Sequence, residues 1–162
     1  MRIIGLIRKY GVIGFLVKAE EKLRSDVNRT YSRDYCNTIP DKNILRNQTD
    51  RRFGYEPLIS IVVPAYNTDK IMLKELMESV INQSYSKWQL CIADASNSDS
   101  VSDVVKEYSH DSRIVYKKLK KNGGISENTN EGFTMADGEY IALLDHDDCL
   151  SRDALYEMVN AM

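Results

Sequence analysis

This chain lacks a long apolar run, a paired-cysteine motif and an excess of either charge, and each absence removes a class of protein. No run approaches the roughly 20 residues that span a bilayer, so no transmembrane helix is predicted. The three cysteines, Cys36, Cys91 and Cys149, are odd in number and far apart, with no CxxC. They read as reduced thiols in a reducing compartment, not as a disulfide scaffold. With 22 basic and 24 acidic residues and a net charge of −2, the composition gives no reason to expect nucleic-acid binding. No GxxxxGK[ST] occurs, which excludes a P-loop, and no GxGxxG follows the first predicted strand, which argues against a dinucleotide-binding Rossmann domain.

What is present suits one domain with an appendage. The chain has 162 residues, 43% hydrophobic and 28% charged, enough for a packed core. Residues 1–24 hold six basic and two acidic side chains, a net +4, leaving −6 for the remainder. Ile3-Ile4, Leu6-Ile7, Val12-Ile13 and Phe15-Leu16-Val17 interleave with these charges. Arg8-Lys9 splits the apolar region and no small-residue cleavage site follows, so a signal peptide is not expected. The segment reads either as a basic amphipathic helix on an anionic membrane surface or as a helix packed on protein. Residues 25–57 are polar and without clear periodicity, and read as a linker or an irregular wrap.

From Leu58 onward, strands and helices alternate. Leu58 to Val63 is β-branched and continuous, as for a strand covered on both faces, and Pro64 is expected to stop it. Leu73, Leu76, Met77, Val80 and Ile81 predict a helix over 70–83. Trp88 to Ala93 is a second strand. Val101, Val104, Val105 and Tyr108 mark a helix, Ile114 to Tyr116 a third strand, and Ile125 to Met135 a helix after Gly123-Gly124. Tyr140 to Leu144 reads as a buried fourth strand, and Leu155, Met158, Val159 and Met162 as a last helix starting at Ser151. The β-α-β-α order predicts an α/β domain with a mainly parallel sheet, whose ligands sit beyond the carboxyl ends of the strands.

Candidate functional residues lie at those ends. After the first strand, Pro64-Ala65-Tyr66-Asn67 offers an aromatic face for a base or sugar and an amide with donor and acceptor groups. The competing reading is an ordinary turn with a packed tyrosine. After the second strand, Asp94 could accept from the imide N–H of a uracil or thymine, while Ser98 and Asp99 are assigned to capping the next helix. Gly123-Gly124 before a helix allows close approach of a phosphate. After the fourth strand comes Asp145-His146-Asp147-Asp148. Clustered carboxylates repel unless a cation sits between them, and hard divalent cations prefer oxygen ligands. The alternative is a polar turn capping the next helix. His146 reads more readily as a solvated or supporting group than as a ligand.

Four stretches together resemble one family: Ile59 to Asn67, Cys91 to Ser96, Asn122 to Ser126 with Asn130, and Gly138 to Asp148. In order and spacing they resemble the nucleotide-sugar half of a family 2 glycosyltransferase with the GT-A fold, over about residues 57–162. The form Leu-Asp-His-Asp-Asp, with the preceding polar region, looks most like the bacterial branch that builds rhamnose-containing or O-antigen polysaccharides. The resemblance implies an α/β, Rossmann-like parallel sheet flanked by helices, with residues 1–56 as a helical and irregular extension. It implies a nucleoside pocket lined by Pro64, Ala65, Tyr66 and Asn67, with Asp94 reading the pyrimidine. Gly124, Ser126, Asn130 and Asp145 complete the nucleotide-sugar site. Asp147, supported by Asp148, would hold Mg²⁺ or Mn²⁺ bridging the donor's two phosphates.

The implied partners are a UDP- or dTDP-sugar donor and a polysaccharide or lipid-linked acceptor, with no nucleic acid. The implied location is cytoplasmic, or peripheral on the inner face of the plasma membrane. Ala93 and Ala95 depart from the family's usual Asp and Gly. The acceptor half that follows the DxD in inverting members, with its catalytic base, is not in this sequence, so a truncated chain that transfers slowly or not at all is the expectation. The catalytic base is therefore not assigned. Two other classes compete: a non-catalytic nucleotide-sugar-binding or membrane-associated module, and a phosphohydrolase with an aspartate nucleophile. The latter usually carries its aspartates on the first strand.

Overall fold

The computed structural model describes residues 40–162; the predicted N-terminal basic helix and residues 25–39 of the linker lie outside the described residues. The elements are α1 (Lys42–Asp50), β1 (Ile59–Ala65), α2 (Lys70–Ile81), β2 (Trp88–Asp94), α3 (Ser100–Glu107), β3 (Ile114–Lys118), α4 (Ile125–Phe133), β4 (Tyr140–Leu143) and α5 (Ala154–Asn160). The four strands form one parallel sheet in the order β3-β2-β1-β4. All four carboxyl ends therefore open on the same side, and β4 emerges next to β1.

Strand alternation sorts the side chains onto two faces. Ile59, Ile61, Val63 and Ala65 of β1 and Trp88, Leu90 and Ile92 of β2 join one core with Leu73, Leu76, Met77 and Val80 of α2, Val101 and Val104 of α3 and Leu155 and Val159 of α5. α4 covers the other face over β1 and β2. It lies close because Gly132 has no side chain: a Cβ there would stand 2.5 Å from Cγ1 of Val62.

Several expectations need correction. β1 does not stop at Pro64 but runs through it to Ala65. Val62 O accepts from Leu144 N at 3.1 Å on the β4 side, and Ala65 O accepts from Ala95 N at 2.9 Å on the β2 side. By alternation Pro64 faces the β4 side, where pairing has ended at Leu143, so its missing N–H costs no ladder bond.

β4 is not a buried strand. Among the described residues it is an edge, and Ile141 and Leu143 are 48% and 65% exposed, because α4 covers β1 and β2 and stops short of them. Only its other face, with Ala142 and the following Leu144, joins the core.

Residues 42–50, read as linker, form a helix capped by Asp41, whose carboxylate accepts from the amides of Asn43 and Ile44. Its low apolar content hid it. α1 is held by polar and aromatic contacts instead: Gln48 takes Ser84 Oγ at 3.0 Å, and Arg51 donates to the Tyr156 hydroxyl at 2.8 Å while stacking over Phe53. α5 starts at Ala154, not Ser151, and buries Tyr156 in place of the periodic Met158, which is 45% exposed. Its first-turn amide at Leu155 is capped by the side chain of Gln83, from the α2–β2 connection. Asp99 stands at the N-cap of α3 but makes no side-chain cap, and Ser98 Oγ pairs with Ser100 Oγ.

Candidate functional site

The parallel sheet delivers the four predicted segments to one end of the domain. After β1, Pro64 and Ala65 are buried within the strand, so only Tyr66, 39% exposed, and Asn67 present side chains outward. Asn67 adopts a left-handed conformation, φ 50°, which Asn tolerates better than most residues. Two bonds fasten it to the end of β2: its amide donates to Ser96 Oγ at 2.8 Å, and its Oδ1 accepts from the Asn97 amide at 3.2 Å.

Asp94 closes β2 with no exposed surface. Its Oδ1 accepts from the Ser96 amide at 2.8 Å. Its Oδ2 accepts from the Tyr116 hydroxyl at 2.7 Å and the Lys118 ammonium at 3.0 Å. Burial would push this carboxyl up, but the bonds from Ser96, Tyr116 and Lys118 outweigh it and hold the group below the usual carboxylate range. Burial, with the Asp94 bond, raises Tyr116, so its hydroxyl stays a donor. Tyr116 and Lys118 escaped the sequence reading. Their only signal there is a polar end to a short strand. The β2–β3 register, which sets Lys118 opposite Asp94, supplies the rest.

The loop before α4 is more self-contained than predicted. The Gly124 amide donates to Asn122 Oδ1 at 2.9 Å and the Gly123 amide to Asn128 Oδ1 at 3.2 Å, so neither glycine amide is free for a phosphate. Asn128 is buried and also donates to Asn122 Oδ1, which ties the loop to the helix. Gly124 is required by its φ of 84°, not by crowding, since a Cβ there would meet open space. Ser126 and Asn130 lie one turn apart on α4, both exposed. A cavity of about 360 Å³ opens between this helix and the β3 end, lined by Lys117, Lys118, Lys120, Lys121, Asn128 and Glu131 among others. It shares Lys118 with the Asp94 cluster.

After β4, Leu144 is buried and the chain turns through Asp145 to Asp148, with the Asp148 amide donating to Asp145 O at 3.1 Å. Asp145, Asp147 and Asp148 are exposed. His146 is half-buried, and its Nδ1 is enclosed without a hydrogen-bond partner among the described residues. No three His, Cys, Asp or Glu side chains converge into a metal cage among the described residues. The three carboxylates are hard oxygen donors and suit Mg²⁺ or Mn²⁺ in chemistry. Mg²⁺ usually takes one or two carboxylates and completes its shell with substrate phosphates and water, so two exposed carboxylates fit that mode better than a closed cage would.

With this geometry in place, comparison with known proteins is decisive. The sequence model for Glycosyl transferase family 2 matches residues 60–162. The chain belongs to glycosyl transferase family 2. It is 31% identical over 110 residues to the putative teichuronic acid biosynthesis glycosyltransferase TuaG of Bacillus subtilis, covering 67% of this chain and 43% of TuaG. The chain thus spans less than half the length of that relative. Among solved structures, the mannosyltransferase PcManGT of Pyrobaculum calidifontis, in complex with GDP-Man and Mn²⁺, superposes with a TM-score of 0.59 at 19% identity, over 71% of this chain and 36% of that one. TarS of S. aureus, in complex with UDP-GlcNAc, gives a TM-score of 0.59 at 24% identity, over 64% and 30%. These likenesses show the fold: the parallel sheet flanked by helices is that of GT-A glycosyltransferases. The Tyr66, Asp94 and Asp145–Asp148 segments of this family 2 domain all lie at the carboxyl end of that sheet.

Proposed function

We propose that the chain forms the donor-binding part of a glycosyltransferase that passes a sugar from a pyrimidine nucleoside-diphosphate sugar to a cell-surface polysaccharide acceptor. The observation that carries this reading is the strand order. β4 lies beside β1 and β1 beside β2, so an aromatic residue, a buried ionised carboxylate and an acidic turn share one sheet end in a family 2 domain. The name of TuaG supports a cell-surface polysaccharide as the acceptor class.

Each residue then has a distinct task. Tyr66 gives the base a flat face, and Asn67, braced by Ser96, fixes the turn that carries it. Asp94 accepts the imide proton of the base. Ser126 and Asn130 line the far side of the donor, and Asp145 serves the ribose. Asp147, with Asp148, would hold a divalent ion. When bound, that ion neutralises the charge that grows on the departing nucleoside diphosphate. No helix among the described residues is long and apolar enough to cross a membrane. The basic character of residues 1–24 supports peripheral contact with an anionic membrane face.

Calorimetry of the full chain with UDP and dTDP, with and without Mn²⁺, tests the reading. Binding is expected with metal, and Asp147→Ala is expected to remove the metal-dependent part. Because Asp147 is exposed, that change should leave folding stability within about 0.5 kcal/mol. No heat with either nucleotide, or an Asp147→Ala variant that keeps its ion-dependent affinity, would overturn it.

A further inference from the structure

The acidic turn is strung between two anchors, and the second is supplied by side chains from α2 and the connection after it. Upstream, Leu144 is buried and its amide donates to Val62 O at 3.1 Å. Downstream, the Leu150 amide donates to Ser79 Oγ at 3.1 Å, and Leu150 packs against the core. The Ser79 hydroxyl itself donates to Leu76 O at 2.6 Å, which leaves a lone pair to face Leu150. Gln83, 8% exposed, holds the residues that follow. Its Nε2 donates to Ser151 O at 2.6 Å and to Ser79 O at 3.0 Å, and its Oε1 accepts from the Leu155 amide at 3.1 Å. Turning this amide over would set donor against donor and acceptor against acceptor, so its partners fix its orientation. The Ser84 amide adds a bond to Arg152 O at 2.8 Å. α2 is itself seated by Leu73, Leu76, Met77 and Val80, all buried.

Between the anchors, Asp145, Asp147 and Asp148 are exposed. The Asp148 amide donates to Asp145 O at 3.1 Å, a bond that closes the turn without tying it to the rest of the domain. Asp147 stands midway between Leu144 and Leu150, so the place of its carboxylate depends on where those two residues are held. With one end free, the turn would sample many positions, and an ion that binds one of them would have to overcome the ordering entropy. With both ends fixed, the apparent affinity rises with the fraction of chains whose turn is in place. Capping of α5 alone would account for the bond from Leu155 to Gln83. It does not account for Ser79, nor for Gln83 Nε2, which reach residues before that helix.

We propose that Ser79 and Gln83 are positioning residues for the divalent ion of the donor-binding reading above, on which this role rests: by fastening Leu150 and Ser151 to the end of α2, they hold the Asp145–Asp148 turn in the arrangement that the ion meets. Neither lies within the turn. One such bond contributes about a factor of five to an equilibrium.

The test uses the full chain and two variants. Ser79→Ala removes the acceptor from Leu150 with little change in volume, and Gln83→Met keeps most of the buried volume while removing three bonds. Hydrogen exchange without metal is expected to speed at the Asp148 and Leu150 amides in both variants, more than in β1 and β2. Calorimetry then measures UDP binding over a series of Mn²⁺ concentrations. The Mn²⁺ needed for half-maximal binding is expected to rise about threefold in Ser79→Ala and about tenfold in Gln83→Met, and saturating Mn²⁺ is expected to restore the UDP affinity of the unaltered chain. Should Gln83→Met fail to fold, Ser79→Ala decides alone. A residue that merely supported the fold would lower UDP affinity at every Mn²⁺ concentration, saturation included. That result, unchanged exchange at the two amides, or an unmoved Mn²⁺ requirement in the folded variants would overturn the inference while leaving the donor-binding reading intact. If the unaltered chain bound no nucleotide in Mn²⁺, the donor-binding reading would itself fail, and the role toward the ion with it.

Discussion

Replacing Asp94 by asparagine removes the charge from a side chain with no exposed surface and three donors around it. Deleting one partner of a buried ion pair costs about 3–5 kcal/mol. Here the figure is trimmed on one side only. Lys118 is 36% exposed and can turn its ammonium toward water, whereas the Ser96 amide and the Tyr116 hydroxyl cannot follow. One amide oxygen can still serve one donor, but the amide nitrogen must then face another donor. We therefore expect Asp94→Asn to destabilise the domain by about 2–3 kcal/mol at neutral pH. At roughly 3–5 °C per kcal/mol for a domain of this size, the melting temperature should fall by about 6–15 °C. Circular dichroism of the two chains, melted side by side, measures it. The same pair of melts also carries a pH signature. The Asp94 carboxyl is held below the ordinary range, so the folded chain binds its proton less readily than the unfolded chain. Its contribution is complete above the unfolded value of about 3.9 and is lost as pH falls through the lowered folded value. The gap between the two chains should therefore be full at pH 7 and shrink through the acid range in which both still fold. A gap below about 0.5 kcal/mol at pH 7, or one that stays constant with acidification, would refute the argument.

Two further changes probe the frame that carries the site. Gly132→Ala drives a Cβ to 2.5 Å from Val62 Cγ1 and is expected to cost about 1–2 kcal/mol net, after the gain in helix propensity; in a Val62→Ala background that cost should vanish, and an equal cost in both backgrounds would contradict the packing account. Arg51→Ala removes a 2.8 Å bond to Tyr156 and the stack on Phe53, so it should cost about 1 kcal/mol and speed hydrogen exchange in α1 selectively; α1 exchange identical to that of the unaltered chain would mean that these contacts do not hold the helix.

Much of this architecture was legible in the chain because it is locally encoded. Helical spacing in α2 and α3 and β-branched runs in β1 and β2 mark their elements within a few residues, since period and propensity act over one or two turns. The motif residues Tyr66, Asn67, Asp94 and Asp145–Asp148 were legible as well, each by its position just past a strand. α1 escaped because it is almost wholly polar; its docking depends on Ser84 and Tyr156, distant in the chain. The cap on α5 comes from Gln83, 72 residues before the amide it satisfies. β4 was misread as buried because an apolar run does not say whether it stands inside a sheet or at its edge. Pro64 was misread as a terminator because the side toward which its missing N–H points is settled by pairing.

At the site the same division holds. An aspartate at the end of an apolar strand is visible in the chain, but the donors that hold it ionised are not. Tyr116 and Lys118 lie 22 and 24 residues further on and reach Asp94 only through the parallel register of β2 and β3. Likewise, Gly123 and Gly124 invite a phosphate when read in order, yet their amides are already taken by Asn128 and Asn122. Residue type and spacing specify which groups are available and which element carries them. Which of those groups meet, and which are left with a free donor or acceptor, depends on strand order and register, because hydrogen bonds form across space between segments that no local pattern relates.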